Sequence, residues 1–296
     1  MRLVTYSQKK ATSIALEIEG ELLDIPKAAS ELGMKDMLPS QMIDLLRWEH
    51  GLSVVAEILD RYEGRNPDER PRMYSMDSLS ILAPIARPGK IIGLGLNYKD
   101  HIEETGRDIP GFPEIFAKFS SSVTSPNQGI PIPKVTKKLD WEIELGVVIG
   151  KICKEVVEDD VLDYIAGYTI INDLSARDLQ REGTQWVHGK SLDGLCPMGP
   201  CIVTVDELDD ASGLTMQTRV NGVLKQDSST SSLRYGVRQV VSFLSKSFTL
   251  EPGDVIATGT PSGVGFARTP PEFLKPGDTV ELFIEGIGYL RNKIVA

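Results

Sequence analysis

The chain has 296 residues, a formal charge of −10 at pH 7 and 41% hydrophobic residues. That is enough for one large domain, or for a large and a small one. Its 32 lysines and arginines are scattered, which argues against a nucleic-acid partner or a polybasic membrane surface. The start MRLVTYSQKK lacks the apolar stretch of a signal peptide, and no run approaches a transmembrane span, so we expect a cytoplasmic protein.

The first part of the chain begins with two strand-like segments, RLVTY and SIALEIEGELLDI, the second with a turn at Glu19-Gly20. Apolar residues then recur at helical spacing from Met42 to Leu59. The polar run EGRNPDERPR that follows is typical of a linker. We therefore predict a small N-terminal α/β domain over residues 1–72 and a catalytic domain over residues 73–296.

From about residue 78 onward, short apolar runs alternate with turns that contain Gly and Pro. Helical patterns are few, mainly VEDDVLDYIA and GVRQVVSFLSKS. Many strands with few crossover helices argue against a doubly wound fold. The pattern favours an α+β domain around a β-rich core.

The segment GLGLNYKDHIEETG reads as a strand end, a glycine turn and a short helix. His101 and Glu104 stand at i and i+3, so the carboxylate can orient the imidazole and raise its basicity. Such a pair suits a general base that activates water. The alternative is a solvated helix face on which a histidine lies beside glutamates.

The segment WEIELGVVIG predicts a strand whose second half is apolar enough for a core. Alternation puts Glu142 and Glu144 on one side of it, about 7 Å apart at Cα. A divalent cation would relieve the repulsion between two such carboxylates, and oxygen ligands indicate Mg²⁺ or Mn²⁺. The alternative is a strand face in water.

The run YIAGYTIINDLSARDLQ predicts an apolar strand that ends at Asn172 and Asp173. Asp173 could supply a third carboxylate, while Ser175 caps the helical turn that follows. The alternative is that Asp173 and Ser175 both serve only as helix caps.

The segment QWVHGKSLDGLCPMGP places Lys190 between apolar strands. A cation there could hold an anionic substrate, although an isolated lysine most often faces solvent.

Two glycine-rich runs do not complete a nucleotide-binding motif. GLGLNY has Tyr98 where a dinucleotide fingerprint has its third glycine, and GTPSGVG lacks the Lys-Ser/Thr ending of a P-loop. The glycines of GTPSGVG either let the backbone approach a ligand closely or make a tight turn. The three cysteines have no zinc-binding spacing, and we expect them to be reduced.

Taken together, these segments resemble the fumarylacetoacetate hydrolase family. The resemblance covers about residues 78 to 296, in the expected order. It is carried by G-LNYKDHIEE, F-AKFSSSV, WEIELGVVIG, YTIINDLSARDLQ, GKSLDGLCPMGP, RVNGVLKQ, LEPGDVIATGTPSGVG, PPEFLKPGD and IEGIGYLRN.

The resemblance implies a fold and a set of site residues. The fold is a mixed β-roll wrapped by short helices, commonly in a homodimer, with a small N-terminal domain in many members. One divalent cation per chain, Mg²⁺ or Mn²⁺, is implied to bind Glu142, Glu144 and Asp173. His101 and Glu104 are implied to form the catalytic dyad of a mobile lid, and Lys190 to balance negative charge during catalysis. The implied substrate-binding residues are Tyr98, Lys118, Arg177, Gln180 and Thr260.

The substrate class that the resemblance implies is a small 2-oxo or 2,4-dioxo carboxylic acid. Our main prediction is a metal-dependent hydrolase that cleaves a carbon–carbon bond in an acylpyruvate-like or fumarylpyruvate-like acid, with the dyad activating water. The alternative is a lyase or isomerase on the same scaffold, such as an oxaloacetate decarboxylase, which needs no attacking water. Neither reading needs a nucleic acid or a membrane.

Overall fold

The structure is a computed structural model and describes residues 1–34, 38–106, 108 and 111–296. Strands make up most of its regular structure. They are β1 (Arg2–Gln8), β2 (Ala11–Ile18), β3 (Glu21–Asp24), β4 (Tyr74–Ser75), β5 (Ser80–Leu82), β6 (Ile91–Gly95), β7 (Glu114–Lys118), β8 (Val123–Thr124), β9 (Gly129–Pro131), β10 (Leu139–Asp140), β11 (Ile143–Ile149), β12 (Ile165–Asn172), β13 (Ser175–Ala176), β14 (Cys196–Thr204), β15 (Thr215–Val220), β16 (Val223–Ser229), β17 (Val255–Ala257), β18 (Thr279–Ile284) and β19 (Gly288–Val295).

The helices of the described residues are mostly short. They are α1 (Ile25–Glu31), α2 (Met42–Arg47), α3 (Gly51–Glu63), α4 (Lys99–Thr105), α5 (Arg177–Gln180), α6 (Val187–Lys190), α7 (Val205–Leu208) and α8 (Val237–Ser247). None of them is long and apolar enough to span a membrane.

Two mixed sheets form the framework. The larger has twelve strands, ten of them in the order β4-β3-β2-β1-β14-β12-β11-β17-β6-β7, and the smaller has the order β16-β15-β18-β19-β9. Most pairs are antiparallel, but β17 with β6, β14 with β8 and β19 with β9 are parallel. In the described part of the chain both sheets keep free edges, so neither is a closed barrel. The predicted α+β class with mixed sheets and few helices is confirmed.

The larger sheet has a core on each face. Val147 of β11 belongs to a core that includes residues of the smaller sheet and of α8, whereas its neighbour Val148 belongs to a core shared with α1, α2 and α3. Because successive side chains of a strand point to opposite faces, a strand between two cores must be apolar on both. This explains the continuous apolar run at the end of WEIELGVVIG.

The N-terminal segment joins this sheet through β1, whose Leu3 pairs with Ile202 of β14. The predicted turn at Glu19-Gly20 connects β2 to β3, and both residues have positive φ. The predicted helical region divides into α2 and α3, because the chain turns between Trp48 and Gly51. The division into domains at residues 72 and 73 stays a prediction.

Two further helix predictions have different outcomes. GVRQVVSFLSKS forms α8, as predicted. VEDDVLDYIA forms a 3₁₀ helix only over Glu158–Tyr164, because the chain enters β12 at Ile165.

Strands β11 and β12 bring the predicted carboxylates together. They are antiparallel, with Ile143 opposite Asn172, so the residue before β11 meets the residue after β12. The Asp173 amide donates to the Glu142 carbonyl at 2.9 Å, and the Glu142 amide donates to Asn172 Oδ1 at 3.1 Å. The backbone itself therefore sets the positions of Glu142 and Asp173.

Candidate metal centre and active site

Glu142, Glu144 and Asp173 form a buried carboxylate triad. One carboxylate oxygen of each lies within 4.8 Å of those of the other two. All three side chains are at least 95% buried. The side chains of Asp173 and Ser175 do not cap α5: its N-cap is Ala176, the Ser175 hydroxyl donates to the Asp173 carbonyl, and the Asp173 carboxylate binds lysines. The predicted cap is therefore wrong.

Three buried cations surround the triad. Lys190 Nζ lies 2.7 Å from Glu142 Oε2 and 2.6 Å from Asp173 Oδ2, so this lysine is buried rather than solvent-facing. Lys118 Nζ lies 2.7 Å from Asp173 Oδ1. Arg177 forms ion pairs with Glu142 Oε1 at 2.6 Å and with the buried Asp140 Oδ2 at 2.8 Å.

The carboxyl groups outnumber the cations in this cluster. Four buried carboxylates, the triad and Asp140, face three cations. Although burial opposes ionisation, Lys190 and Arg177 lower the pKa of Glu142 to about 2. Burial, followed by repulsion from Asp173 and Glu142, raises the pKa of Glu144 well above its usual value. Among the described residues Glu144 has no cationic partner within ion-pair distance, and its Oε2 accepts only the Gly259 amide, at 2.7 Å.

This arrangement fits the divalent cation that the family resemblance implies. The donor set is all oxygen, as Mg²⁺ and Mn²⁺ prefer. Each carboxylate oxygen has two lone pairs, so pairing with lysine does not exhaust it. Burial and the acidic neighbours disfavour ionisation of Glu144 in the metal-free protein, and a divalent cation beside the triad would favour it. Glu142, Glu144 and Asp173 are therefore the residues that would hold the ion.

Helix α4 carries the predicted dyad to the same cavity. His101 Nδ1 lies 3.2 Å from Glu104 Oε2, and His101 lines the cavity with Glu142 and Glu144. An ionised carboxylate can only accept, so Nδ1 donates and Nε2 of the neutral ring is free to act as a base. In the described part of the chain no side chain or backbone group hydrogen-bonds Nε2. The helical i, i+3 contact is as predicted.

The loop formed by residues 259–265, GTPSGVG, connects the dyad helix to the triad; we call it the glycine loop. Its Gly259 amide binds Glu144, and its Gly263 amide donates to Glu104 Oε1 at 2.9 Å. Both glycines have φ near +100°, and a Cβ on Gly263 would lie 2.1 Å from the Lys225 carbonyl oxygen. The glycines thus allow a turn whose backbone amides donate to Glu144 of the triad and to Glu104 of the dyad.

Asp100 is a second anchor between α4 and the glycine loop. Its Oδ2 accepts from the Ser262 hydroxyl at 2.9 Å and from the Ser262 amide at 3.3 Å. Its Oδ1 accepts from the His101 amide at 2.9 Å. Asp100 therefore anchors α4 to the glycine loop at the position before His101, although Asp100 itself does not line the cavity.

We predict that Asp100→Ala lowers kcat/KM about tenfold or more, because charge-assisted hydrogen bonds that position the dyad are lost. Steady-state kinetics with the preferred substrate would measure this. Lys99→Ala, at the adjacent exposed position, is the matched control and should keep wild-type kinetics. Equal losses in both variants would mean that α4 is sensitive to any change and that Asp100 has no anchoring role.

The predicted substrate-binding residues fall into two groups. Arg177, Gln180 and Thr260 line the cavity, and Arg177 Nη1 donates to Gln180 Oε1 at 3.0 Å. Lys118 lies behind the triad, bound to Asp173 and to the Leu195 carbonyl at 3.2 Å. Tyr98 is fully buried in the core, where its hydroxyl donates to Met216 Sδ, and it is not part of the cavity lining. Their substrate-binding roles stay predictions.

Two supporting residues had no predicted role. Asp140 accepts the amides of Gly265 and Phe266 at 2.7 and 3.0 Å, besides the Arg177 side chain. Gln226 donates from Nε2 to Thr260 Oγ1 at 2.8 Å and accepts the Ile143 amide at 3.1 Å. Gln226 ends the segment RVNGVLKQ and Asp140 directly precedes WEIELGVVIG, but the roles of both depend on contacts between distant parts of the chain.

The cavity at the triad has a volume of about 80 Å³. That is room for a few water molecules or for part of a small acid. Besides the residues already named, its lining includes the aromatic side chains of Phe116, Trp186 and Phe266. The site therefore combines a buried carboxylate end with cations, a histidine paired with a glutamate, and aromatic walls.

Comparisons with known proteins identify the family. The profile described as fumarylacetoacetate (FAA) hydrolase C-terminal matches residues 90–295. The chain is 39% identical over 300 residues to oxaloacetate tautomerase YisK of Bacillus subtilis (strain 168), covering 99% of this chain and 100% of that one. It is 43% identical over 260 residues to the mitochondrial oxaloacetate tautomerase Fahd2a of Rattus norvegicus, covering 87% and 80%.

A solved structure provides a comparison with bound ligands. The crystal structure of maleylpyruvate hydrolase from Sphingobium sp. SYK-6 in complex with manganese(II) ion and pyruvate has 27% identity and a TM-score of 0.78, covering 100% of this chain and 99% of that one. The match of the family profile to most of the chain, together with these relatives, shows that this protein is an enzyme of the fumarylacetoacetate hydrolase family.

Proposed function

We propose that this enzyme is a divalent-metal-dependent isomerase that interconverts the enol and keto tautomers of oxaloacetate. The relatives of highest similarity reported above bear that activity in their names. This supports the isomerase alternative over the carbon–carbon hydrolase that was our main sequence-based prediction. The observation that carries the proposal is the His101 imidazole, oriented by Glu104, with Nε2 available in the same cavity as the carboxylate triad.

Tautomerisation needs one proton moved between C3 and the oxygen on C2. In the enol-to-keto direction, the hydroxyl proton leaves the enol and a proton is delivered to C3. We assign this transfer to His101, which would take up the proton and return it through Nε2, while Glu104 would stabilise the imidazolium that forms meanwhile. No water has to attack carbon and no carbon–carbon bond breaks.

Lys190 and a divalent cation at the triad would both stabilise negative charge on the acid. Lys190 lines the cavity and can balance negative charge that develops on the substrate. A divalent metal ion bound at Glu142, Glu144 and Asp173 would act as a Lewis acid and stabilise negative charge on the 2-oxo oxygen. Mg²⁺ and Mn²⁺ both suit this donor set, and Mn²⁺ is the ion named in the maleylpyruvate hydrolase structure.

The direct test follows the loss of enol absorbance after oxaloacetate enol is diluted into buffer. We expect the enzyme to accelerate the loss over the spontaneous rate, EDTA to abolish the acceleration, and Mg²⁺ or Mn²⁺ to restore it. Acetylpyruvate and fumarylpyruvate, assayed in parallel for release of pyruvate, provide the comparison. If either acid is hydrolysed faster than oxaloacetate is tautomerised, the enzyme is a hydrolase and the proposal is wrong. If EDTA leaves the activity unchanged, the reaction does not depend on a divalent metal ion. The homodimer stays a prediction.

A further inference from the structure

Among the described residues, three lysine or arginine side chains line the cavity at the triad, and two of them already pair with carboxylates. Arg177 pairs with Asp140 and Glu142, and Lys190 pairs with Glu142 and Asp173. The third is Arg181, which lines the same cavity. Within residues 1–34, 38–106, 108 and 111–296, no carboxylate lies within ion-pair distance of Arg181.

Arg181 is nevertheless held in place. It is the C-cap residue of α5, and its amide donates to the Asp178 carbonyl at 3.3 Å. Its guanidinium carbon lies 4.9 Å from the centroid of the Phe266 ring. The Phe266 amide is in turn bound to the buried Asp140. Stacking on an anchored ring limits the freedom of the arginine and leaves its N–H groups available to a ligand.

The position of Arg181 relative to the triad indicates which part of a ligand it would meet. The triad and Lys190 are buried, whereas Arg181 is exposed. The triad thus forms the inner end of the cavity and Arg181 lies at its mouth. The Phe266 ring, on which Arg181 stacks, is 6.5 Å from the His101 ring, centroid to centroid. Phe266 therefore neighbours both His101 and Arg181, so an acid bound at the triad beside His101 can extend toward Arg181.

We propose that Arg181 binds the distal carboxylate of the substrate and selects four-carbon 2-oxo dicarboxylic acids over 2-oxo acids with an uncharged end. The proposal rests on the proposed function, in which the 2-oxo acid end lies at the triad. A guanidinium matches a carboxylate with two parallel hydrogen bonds, which an ammonium group cannot reproduce. Arg181 is therefore a specificity-determining residue that takes no part in proton transfer.

The test measures binding by calorimetry in saturating Mg²⁺, with oxaloacetate and pyruvate as ligands. The two share the 2-oxo acid end, and only oxaloacetate has a distal carboxylate. Arg181→Gln should raise the Kd of oxaloacetate by roughly tenfold to a hundredfold, and should leave the Kd of pyruvate unchanged. Arg181→Lys should give an intermediate Kd for oxaloacetate. Arg87→Gln, at an exposed arginine outside the cavity lining, is the control.

The outcomes separate this proposal from the proposed function. Equal affinity of the wild type for the two ligands, or an equal loss of both in Arg181→Gln, would overturn the role of Arg181 even if oxaloacetate enol is turned over. A selective loss of oxaloacetate binding without any wild-type tautomerase activity would support Arg181 and overturn the tautomerase. Failure of the wild type to bind either ligand would overturn the role of Arg181, and the enol assay would then decide the function alone.

Discussion

Glu144→Gln is expected to abolish divalent-cation binding without destabilising the metal-free protein. Glu144 is the triad carboxylate with no cationic partner in the described part of the chain, and burial and its acidic neighbours raise its pKa. A neutral glutamine removes that repulsion, and its side-chain oxygen can still accept the Gly259 amide. Glu144→Gln therefore removes a metal ligand without breaking a buried ion pair.

Glu142→Gln is the matched comparison, because it makes the same chemical change at the other end of the ExE pair. Glu142 forms ion pairs with Lys190 and Arg177. Removing its charge leaves both cations buried with fewer partners, which we expect to lower the free energy of unfolding by about 3 kcal/mol. The two variants should thus both lose the metal but differ in the stability of the metal-free state.

Thermal unfolding in EDTA and in excess Mg²⁺ measures both effects. Ligand at about 100 times its Kd stabilises a folded protein by about 2.7 kcal/mol, so the wild type should melt at a higher temperature in Mg²⁺. Neither variant should respond to Mg²⁺, and in EDTA only Glu142→Gln should melt earlier than the wild type. A Glu144→Gln protein that is as destabilised as Glu142→Gln would mean that the Glu144 carboxylate stabilises the metal-free protein, contrary to this expectation.

The Glu142/Glu144 pair was predictable because its determinants are local. A side-chain period of two places Glu142 and Glu144 on one face, and the apolar residues after them identify a buried strand. Asp173 was predictable as a strand-end residue, but its contact with Glu142 depends on the antiparallel pairing of β11 with β12. The α+β class followed from the number of short apolar runs and the small number of helices.

The partners of the triad could not be predicted from the residues themselves. Lys190 lies 48 positions from Glu142, and no local pattern distinguishes a buried lysine from the far commoner exposed one. The glycine loop was recognisable as a turn, but not as the donor of amides to Glu144 and Glu104. Tyr98 adjoins the dyad helix in sequence, yet packing directs it into the core. Contacts between distant segments decide each of these cases.

His101→Gln is expected to lower kcat by about a hundredfold to ten-thousandfold, the range for loss of a general base. Glutamine approximates the size of histidine but cannot take up a proton at neutral pH. The triad is unchanged in this variant, so the thermal stabilisation by Mg²⁺ and the affinity for oxaloacetate should be retained. Glu104→Gln should have a smaller effect on kcat, because the imidazole remains while its orientation and the stabilisation of its protonated form are weakened.

Enol absorbance kinetics, calorimetry with oxaloacetate and thermal unfolding in Mg²⁺ test these expectations on the same variants. The chain has three histidines, and His50→Gln, at an exposed position away from the cavity lining, is the matched control. Wild-type kcat in His101→Gln would exclude the imidazole as the base. A loss of Mg²⁺ stabilisation together with kcat would instead mean that His101 supports the metal centre. A loss of kcat alone places the proton transfer at His101, because binding of the acid and of the metal then persists without turnover.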